Sequence, residues 1–595
     1  MPLVVQKFGG TSVADSQKIL AAARKAVRAQ QEGNQVVMVV SAMGKNTDVL
    51  VDLAHQISDH PPAREMDMLL STGEQVSVAL MAMAIDSLGC RAISFTGAQI
   101  GIKTDSTHTK ARIHSISAAR MRQALEQGKI VIAAGFQGID EDSDSTTLGR
   151  GGRDTTAVTL AAALEAVACE IYTDVDGVYT TDPRALPEAR MVRQVSYDEM
   201  LELASLGAGV MHSRSIEFAK KFSVPIHVRS SFSDRPGTMI TALPESPGQP
   251  VSGATLVKNE ARVAILGVPD RPGSSLAIFS KIAARNISVD MIVQNVGDHA
   301  KADISFTVLR DDLVSTLEAV QEAAAELGAE GVSHDDKVSK ISVVGLGMAT
   351  QTGVAQTMFR ALAEAGVNIQ MITTSEIKIS VLVDRDQAQN ALRVVHRAFE
   401  LDKEPRAAAA QSADATRVPG PKVARDEAAI VARLSGMEDL TIDDMMLDDT
   451  QARVTIGGVP DAPGMAASVF EGIAAAGIFV DMIVQSLGRA GHANLSFTVP
   501  QAALQRAVAT ATELAGQFGC GPVTNSPRVA KLSVSGIGMR SHTGVAIRMF
   551  RALSEAGINV AMINTSEVRV NVVVDGAAGQ KGLACLQAAF ADAQR

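Results

Sequence analysis

Lys7, Gly9, Gly10, Thr11 and Ser12 stand together in the run LVVQKFGGTSVADSQKIL near the start of the chain. A lysine beside paired glycines at a strand-to-helix junction has the composition of a phosphate cradle. The glycines let backbone N–H groups approach an anion, the helix N-terminus adds positive dipole, and the ammonium adds a full charge. It is not a Walker A loop, because no G-x-x-x-x-G-K-[ST] occurs. A tight βα turn with a surface lysine is an equal reading of this junction by itself. Leu3 to Gln6 reads as a buried strand, and Ser12-x-x-Asp15 has capping-box spacing ahead of Ile19, Leu20, Ala23 and Val27 on one helical face.

Four more segments offer matching chemistry, each placed just after an apolar strand-like run or at a helix start. SAMGKNT supplies Ser41, Gly44 and Thr47, and LLSTGEQVS places Glu74 near the start of a helix. LGRGGRDTTA supplies Arg150, Gly151, Gly152, Arg153 and Asp154; DVDGVYTTDPR supplies Asp174, Asp176, Tyr179, Asp182 and Arg184. In an open parallel sheet, ligands bind beyond the carboxyl ends of the strands, where these segments fall. The chemistry they suit is phosphoryl transfer, with Lys7 offsetting charge on the transferred group and Asp154 helping to hold Mg²⁺ or orienting Lys7. Arg150 can pair with a substrate carboxylate and Glu74 with a substrate ammonium. Asp176-Gly177 and Asp182-Pro183 are ordinary turn formers, so turn duty is the simpler role for both aspartates. Thr47 and Glu74 equally suit helix caps. No Ser/His/Asp or Cys/His nucleophile spacing stands out, and Gly345-x-Gly347 and Gly536-x-Gly538 lack the third glycine of a dinucleotide fingerprint.

The elements that must position these residues occupy the first half. Runs at Gln35 to Val40, Arg91 to Phe95, Ile130 to Ala134, Glu170 to Thr173 and Pro225 to Val228 alternate with helical segments, which predicts an α/β domain with a largely parallel sheet and helices on both faces. The second half repeats itself. GVPDRPG at Gly267, VDMIVQ at Val289 and TSE at Thr374 recur at Gly458, Val480 and Thr565, each at an offset of 191 residues. A shorter offset of 80 residues relates Gly273, Phe279 and Met291 to Gly353, Phe359 and Met371, and Gly464, Phe470 and Met482 to Gly544, Phe550 and Met562. Four modules in two pairs result, each reading β-α-β-β-α-β, a ferredoxin-like split unit. The expected organisation is a first domain over 1–245, modules over 262–338 and 339–401, a linker over 402–450, and modules over 451–527 and 528–595.

Bulk properties bound the function. Net charge is −10 with signs interspersed, which argues against a nucleic-acid footprint. Four cysteines lack C-x-x-C spacing, so neither disulfides nor structural zinc is expected. No signal peptide and no membrane-spanning apolar run are expected, Ala157 to Cys169 being the nearest to one, and the expected location is cytoplasmic. Tryptophan is absent and aromatics are 3%, so binding must rest on backbone, charge and hydroxyl groups.

With KFGGTSV, SAMG, STGE, GRGG and TDVDGVYTTDPR in this order, the first half resembles the aspartate kinases, and the repeats resemble their ACT domains. The resemblance implies an amino-acid-kinase αβα sandwich, followed here by four βαββαβ ACT modules. It implies transfer of the ATP γ-phosphoryl group to the side-chain carboxylate of L-aspartate, with Mg²⁺. Carried over by motif, Lys7, Phe8, Gly9 and Gly10 should meet the phosphates, with Lys7 and Asp154 catalytic. Thr173, Asp174, Tyr179 and Arg184 should lie along the nucleotide, and Ser41, Thr47, Glu74, Arg150, Gly151, Gly152 and Arg153 should line the aspartate site. Arg153 departs from the GRGGSD usual in the family, so its role stays open. The ACT likeness implies feedback by lysine, threonine or both, a homodimer, and effector contacts at Asp270, Gly273, Asp290, Gln294 and Asn295, with Asp461, Gly464, Asp481, Gln485 and Ser486 in the second pair. Ser486 in place of Asn295 puts identical ligand preference in question, and a second pair that only buries surface is the plainer alternative. Rival readings are a kinase for glutamate or N-acetylglutamate, and an idle amino-acid sensor. The fourth module, running almost to Arg595, leaves no dehydrogenase fusion expected.

Overall fold

The computed structural model describes residues 1–149, 151–206, 210–246, 248–296, 301–349, 351, 353–405, 440–487, 491–539 and 544–594. In the first half, strands β1 (Leu3–Phe8), β2 (Gln35–Val40), β3 (Ala92–Phe95), β4 (Ile102–Thr104), β5 (Ile113–Ile116), β6 (Ile130–Ala134), β7 (Gln137–Ile139), β8 (Ser145–Thr147), β9 (Ala168–Thr173), β10 (Gln194–Ser196), β11 (Ile226–Ser230) and β12 (Thr238–Thr241) follow in chain order. Eight of them form one sheet in the order β10-β12-β11-β9-β1-β2-β6-β3. Every neighbouring pair in it is parallel except β11 with β12. The central runs, such as QVVMVV, are apolar without alternation because helices cover both faces. The helices Ser16–Gln31 and Ala63–Ser87 pack on one face against Phe8, Met38 and Ile132. The helices Gly152–Ala163, Tyr197–Ser205 and Ser213–Phe222 pack on the other, over Val39, Ile171 and Val228. The remaining strands make a small side sheet, β5-β4-β7-β8.

Three local expectations change. The N-cap of the first helix is Asp15, whose side chain accepts from Lys18 N–H; a 3-10 turn over Gly10–Val13 takes the chain past Ser12, whose hydroxyl meets Ser231 instead. Glu74 lies in the middle of the helix Ala63–Ser87, which begins well before STGE. Among the described residues, that 25-residue helix, and not Ala157 to Cys169, is the one long and apolar enough to cross a membrane. It buries Asp67, Ser71, Glu74 and Ser77 against the sheet, as a core helix does.

The second half adds β13 (Gly253–Pro269), β14 (Val289–Val296), β15 (Lys301–Leu309), β16 (Gly331–Val344), β17 (Met371–Thr374), β18 (Lys378–Asp384), β19 (Thr441–Pro460), β20 (Ile483–Leu487), β21 (His492–Pro500), β22 (Val523–Ile537), β23 (Val560–Thr565) and β24 (Arg569–Asp575), joined in one sheet. Strands β13, β16, β19 and β22 each serve two modules. Ala261 to Pro269 of β13 pair with β15 as the first strand of module one, while Gly253 to Val257 pair with Lys340 to Val344 of β16 and complete module two. In the same way Gln451 to Pro460 of β19 belong to module three, while Thr441 to Asp448 pair with Lys531 to Ile537 and complete module four. The fourth strand, and sixth element, of the second module in each pair thus comes from ahead of the first. This corrects two boundaries: residues 253–257, outside the expected modules, are module two, and Thr441 to Thr450, placed in the linker over 402–450, are strand.

Modules pack across the pairs. Module two shares a core with module three and module one with module four, through Phe359 on Phe470 (5.7 Å between ring centres) and Phe279 on Phe550 (5.9 Å). Strand β17 bonds to β20 at Ile372↔Gln485 and Thr373↔Val484, and β14 lies against β23. The array closes on itself around Met291, Met371, Met482 and Met562, one buried methionine from each module.

Candidate functional site

The carboxyl ends of β1, β2, β6 and β9 converge because these strands are parallel neighbours in register: Lys7 stands level with Val39 and Ile171, and Phe8 with Val40 and Tyr172. The ring of Tyr172 stacks on that of Phe8 at 4.6 Å, fixing the floor beneath the turn. Gly10 has no room for a side chain. A Cβ there would lie 2.9 Å from the Ala42 carbonyl oxygen and 3.0 Å from that of Gly44, and Gly44 N–H donates to the Gly10 carbonyl at 3.0 Å. The two loops are therefore locked together at backbone distance.

Lys7 Nζ lies 2.6 Å from Asp154 Oδ1, and both side chains are largely buried. Asp154 stands in the first turn of the helix Gly152–Ala163, a favourable place for an anion near free N–H groups. Gly151, the residue before that helix, has φ of +79° and lies against His212, whose ring atoms a Cβ would meet at 2.5 Å. Asp154 therefore fixes the lysine ammonium at the mouth of the cradle.

Glu74 is completely buried, and burial pushes its carboxyl up to about 7 against the opposing pull of Arg153. Arg153 Nε donates to Glu74 Oε1 at 2.9 Å, and its terminal nitrogen donates to Thr47 Oγ1 at 3.1 Å. The guanidinium also lies over the Phe136 ring, 4.9 Å from its centre. Ser41 is buried at the end of β2, and its hydroxyl makes no hydrogen bond. The structure thus gathers Lys7, Asp154, Ser41, Thr47, Glu74, Gly151, Gly152 and Arg153 about one set of strand ends. Arg150 lies outside the described residues.

The nucleotide set is looser. Thr173 ends β9 and donates to Asp174 Oδ1 at 3.2 Å; Tyr179 bridges to Met191. Arg184 is exposed and folded onto Asp182 at 2.9 Å, away from the cradle. The loop after β11 went unnoticed in the sequence, although its strand was legible. Ser231 donates its hydroxyl proton to Ser12 Oγ at 2.6 Å, while Ser233 Oγ and Arg235 hold Asp176 at 2.6 and 3.0 Å. Asp176 is therefore more than a turn former: it ties the loop after β9 to the loop after β11. The rule that ligands gather at strand ends was the signal that pointed there.

Residues 2–230 match the Amino acid kinase family, and residues 262–328, 341–399, 454–513 and 532–590 match the ACT domain. An aspartate kinase of Stutzerimonas stutzeri (strain A1501) is 51% identical over 404 residues, 68% of this chain and 98% of its own length. This chain belongs to the aspartate kinase family. An aspartokinase of Thermus thermophilus is 47% identical over 405 residues, 68% of this chain and 100% of its own. Among solved structures, the aspartate kinase from Synechocystis is 41% identical, with 99% of this chain and 98% of that one covered and a TM-score of 0.52. E. coli aspartokinase III, solved with aspartate and ADP, is 25% identical, with 67% and 99% covered and a TM-score of 0.56. As a member of this family the protein is a kinase acting on a carboxyl group.

At the ACT interfaces, Asn559 Nδ2 donates to Asp270 at 2.7 Å and Asn368 Nδ2 donates to Asp461 at 2.7 Å. Gln294 donates to the Val560 carbonyl at 2.6 Å and Gln485 to the Ile369 carbonyl at 2.9 Å. These contacts join modules one to four and three to two, so each of them crosses from one pair to the other. Gly273 and Gly464 stand at the same seams, facing Ser554 and Ala363. The space beside Asp461, Gly464 and Gln485 is only about 10 Å³. Asp290 and Asp481 fall elsewhere: they pair with the buried Lys340 and with Lys531 (2.5 Å) and line separate cavities. The cavity at Asp290, with Phe279, Phe550 and Glu567, holds about 120 Å³; its counterpart at Asp481, with Phe470, Phe479 and Glu376, holds about 550 Å³. Ser486 is buried in β20, and the Asn295 side chain lies outside the described residues.

Proposed function

We propose that the chain converts ATP and L-aspartate to ADP and 4-phospho-L-aspartate, the first step toward lysine, threonine and methionine, and that its ACT modules sense lysine, threonine or both. The observation that carries the catalytic part is the Lys7–Asp154 pair at 2.6 Å, set in a backbone cradle that admits no side chain at Gly10. An aspartate side-chain carboxylate is ionised at neutral pH and needs no general base. One of its oxygens bonds to the γ-phosphorus as the bond to the bridging β,γ-oxygen breaks, and ADP leaves with that electron pair. Lys7 and the N–H groups of Gly9 and Gly10 offset the charge that builds on the transferred group.

Glu74 takes the substrate's ammonium, and Ser41, Thr47 and Arg150 its carboxylates, with Gly151 and Gly152 as the backbone wall. Thr173, Asp174, Tyr179 and Arg184 serve the nucleotide. Among the described residues no group of three or more His, Cys, Asp or Glu stands ready to hold a metal. Asp154 is engaged by Lys7, so Mg²⁺ enters as part of the MgATP substrate. The effector reading is supported by the paired acceptors Asp270 and Asp461, each suited to an amino-acid ammonium. We further propose a cytoplasmic homodimer. The test is ADP release with L-aspartate, repeated with L-glutamate and then with lysine, threonine and both added. Activity with glutamate equal to that with aspartate would refute the substrate, and full activity in the presence of both amino acids the regulation.

A further inference from the structure

The residue whose role the motif left open is the one most firmly held in the pocket. Arg153 has three separate seats: Glu74 Oε1 at 2.9 Å, Thr47 Oγ1 at 3.1 Å and the face of Phe136 at 4.9 Å. Phe136 itself is held at φ of +76°, a left-handed conformation that a bulky residue keeps only where its surroundings over-determine it. Its N–H donates to Thr156 Oγ1 at 3.2 Å, one anchor of that conformation. The guanidinium uses one oxygen of Glu74; the other, Oε2, is buried without a hydrogen bond of its own, with the Gln137 amide nearby. A fully buried carboxylate with one oxygen seated on a fixed cation and one left over is a receptor for a second cation.

We propose that Arg153 is the positioning residue for the substrate's ammonium group, holding Glu74 ionised and in one orientation so that Oε2 receives that ammonium. The inference rests on the reading above that Glu74 is the ammonium site. An isolated buried carboxylate takes up a proton, and a neutral acid does not hold an ammonium. Arg153 is the charged group facing Glu74. Asp67, two turns earlier on the same helix, is occupied by His108 and Thr109 at 2.9 Å and by Thr147 at 2.5 Å. Arg153 spends a single oxygen on this task, so charge support and substrate binding do not compete for the same atom.

The test is steady-state kinetics of the full-length enzyme with L-aspartate between pH 6 and 9, comparing Arg153→Ser, Arg153→Lys and Glu74→Gln. With Arg153→Ser, KM for aspartate rises about five-fold at pH 7, which follows if the ionised fraction of Glu74 falls from about a half to about a tenth. KM recovers toward pH 9, and kcat and KM for ATP change less than KM for aspartate. Arg153→Lys restores most of the loss. Inhibition by succinate, which lacks the ammonium, is unchanged in Arg153→Ser. A KM that falls in Arg153→Ser would mean that the arginine competes with substrate, and a pH-independent rise would mean a merely structural role; either overturns the proposal. Glu74→Gln separates the two levels. If it leaves KM for aspartate unchanged, the ammonium site itself is misassigned; if it raises KM while Arg153→Ser does not, only the role of Arg153 fails.

Discussion

Removing the Lys378 ammonium should uncouple the ACT array from the catalytic domain. Glu202 lies on the helix Tyr197–Ser205 and is fully buried; Lys378 Nζ from module two stands 2.9 Å from its Oε2, and Glu567 N–H from module four donates to its Oε1 at 2.9 Å. Glu199, one turn earlier, accepts from Leu346 N–H at 3.0 Å and from Ser252. One helix of the catalytic domain thus holds two modules, and the chain beyond it reaches His212 on Gly151 and Arg214 on the Leu148 carbonyl, beside the phosphate loop. Lys378→Met leaves Glu202 as a buried charge with one backbone donor, which costs about 3–5 kcal/mol. Allosteric coupling amounts to about 1–3 kcal/mol, so the loss exceeds what the contact has to transmit. The variant should melt lower by roughly 10 °C, keep aspartate-dependent ADP release, and lose inhibition by lysine and threonine. Pairing it with Glu202→Gln removes the orphan charge and should return most of the melting temperature, within about 1 kcal/mol of the parent. Burial lowers the Lys378 pKa, but Glu202, Asp290 and Glu567 together raise it above its ordinary 10.5. The pair's contribution is therefore complete below that value and lost only as pH climbs through the higher folded one. An unchanged melting temperature in Lys378→Met, or full inhibition despite its loss, would refute the reasoning.

Three further outcomes follow from the geometry. Lys7→Ala should abolish aspartate-dependent ADP formation while the chain stays folded; full activity would sink the catalytic assignment. Gly10→Ala forces apart loops whose carbonyls stand 2.9 and 3.0 Å from the new Cβ, and kcat/KM should fall about 100-fold, as misplacement by an ångström does; a loss under three-fold would refute the lock. Because Glu74 has its carboxyl raised from 4.5 to about 7, the unfolded chain gives up that proton first and stability drops as pH rises from 4.5 through 7. Glu74→Gln should remove that slope, read as melting temperature between pH 4.5 and 8, and an unaltered slope would show that another group carries it.

What the sequence makes legible is local. The strand, glycine pair and helix at Lys7, the alternation behind it, and the 191-residue offset all appear in short windows, and the parallel sheet follows from connection rules. Legibility stops at partners chosen from far away. Gly253 to Val257 fall between the expected first domain and the first module, and nothing in their pattern says that they complete a module whose other strands lie beyond an intervening one. Glu74 reads as a helix start because STGE is a cap-like string, while the helix around it begins at Ala63 by virtue of its apolar face on the sheet. The contact of Arg153 with Glu74 spans 79 residues and depends on two helices meeting across the strand ends, and Phe136 joins them through a backbone conformation that its side chain does not announce.

The cross-pairing of modules also bears on the duplicated pair. A duplicate that only buried surface would pack as a unit beside a first pair already complete. Here neither pair is complete. Asp270 finds its partner Asn559 in module four, and Asp461 of module three finds Asn368 in module two. Each seam takes one module from each pair, and one buried methionine from each module meets in a shared cluster. The two seams have nevertheless diverged: Gln451 stands where the first pair has Glu260 on Lys340, and the paired cavities differ between about 120 and 550 Å³. A single chain thereby holds two related interfaces of different size and charge, an arrangement in which two effectors can be told apart without a second subunit.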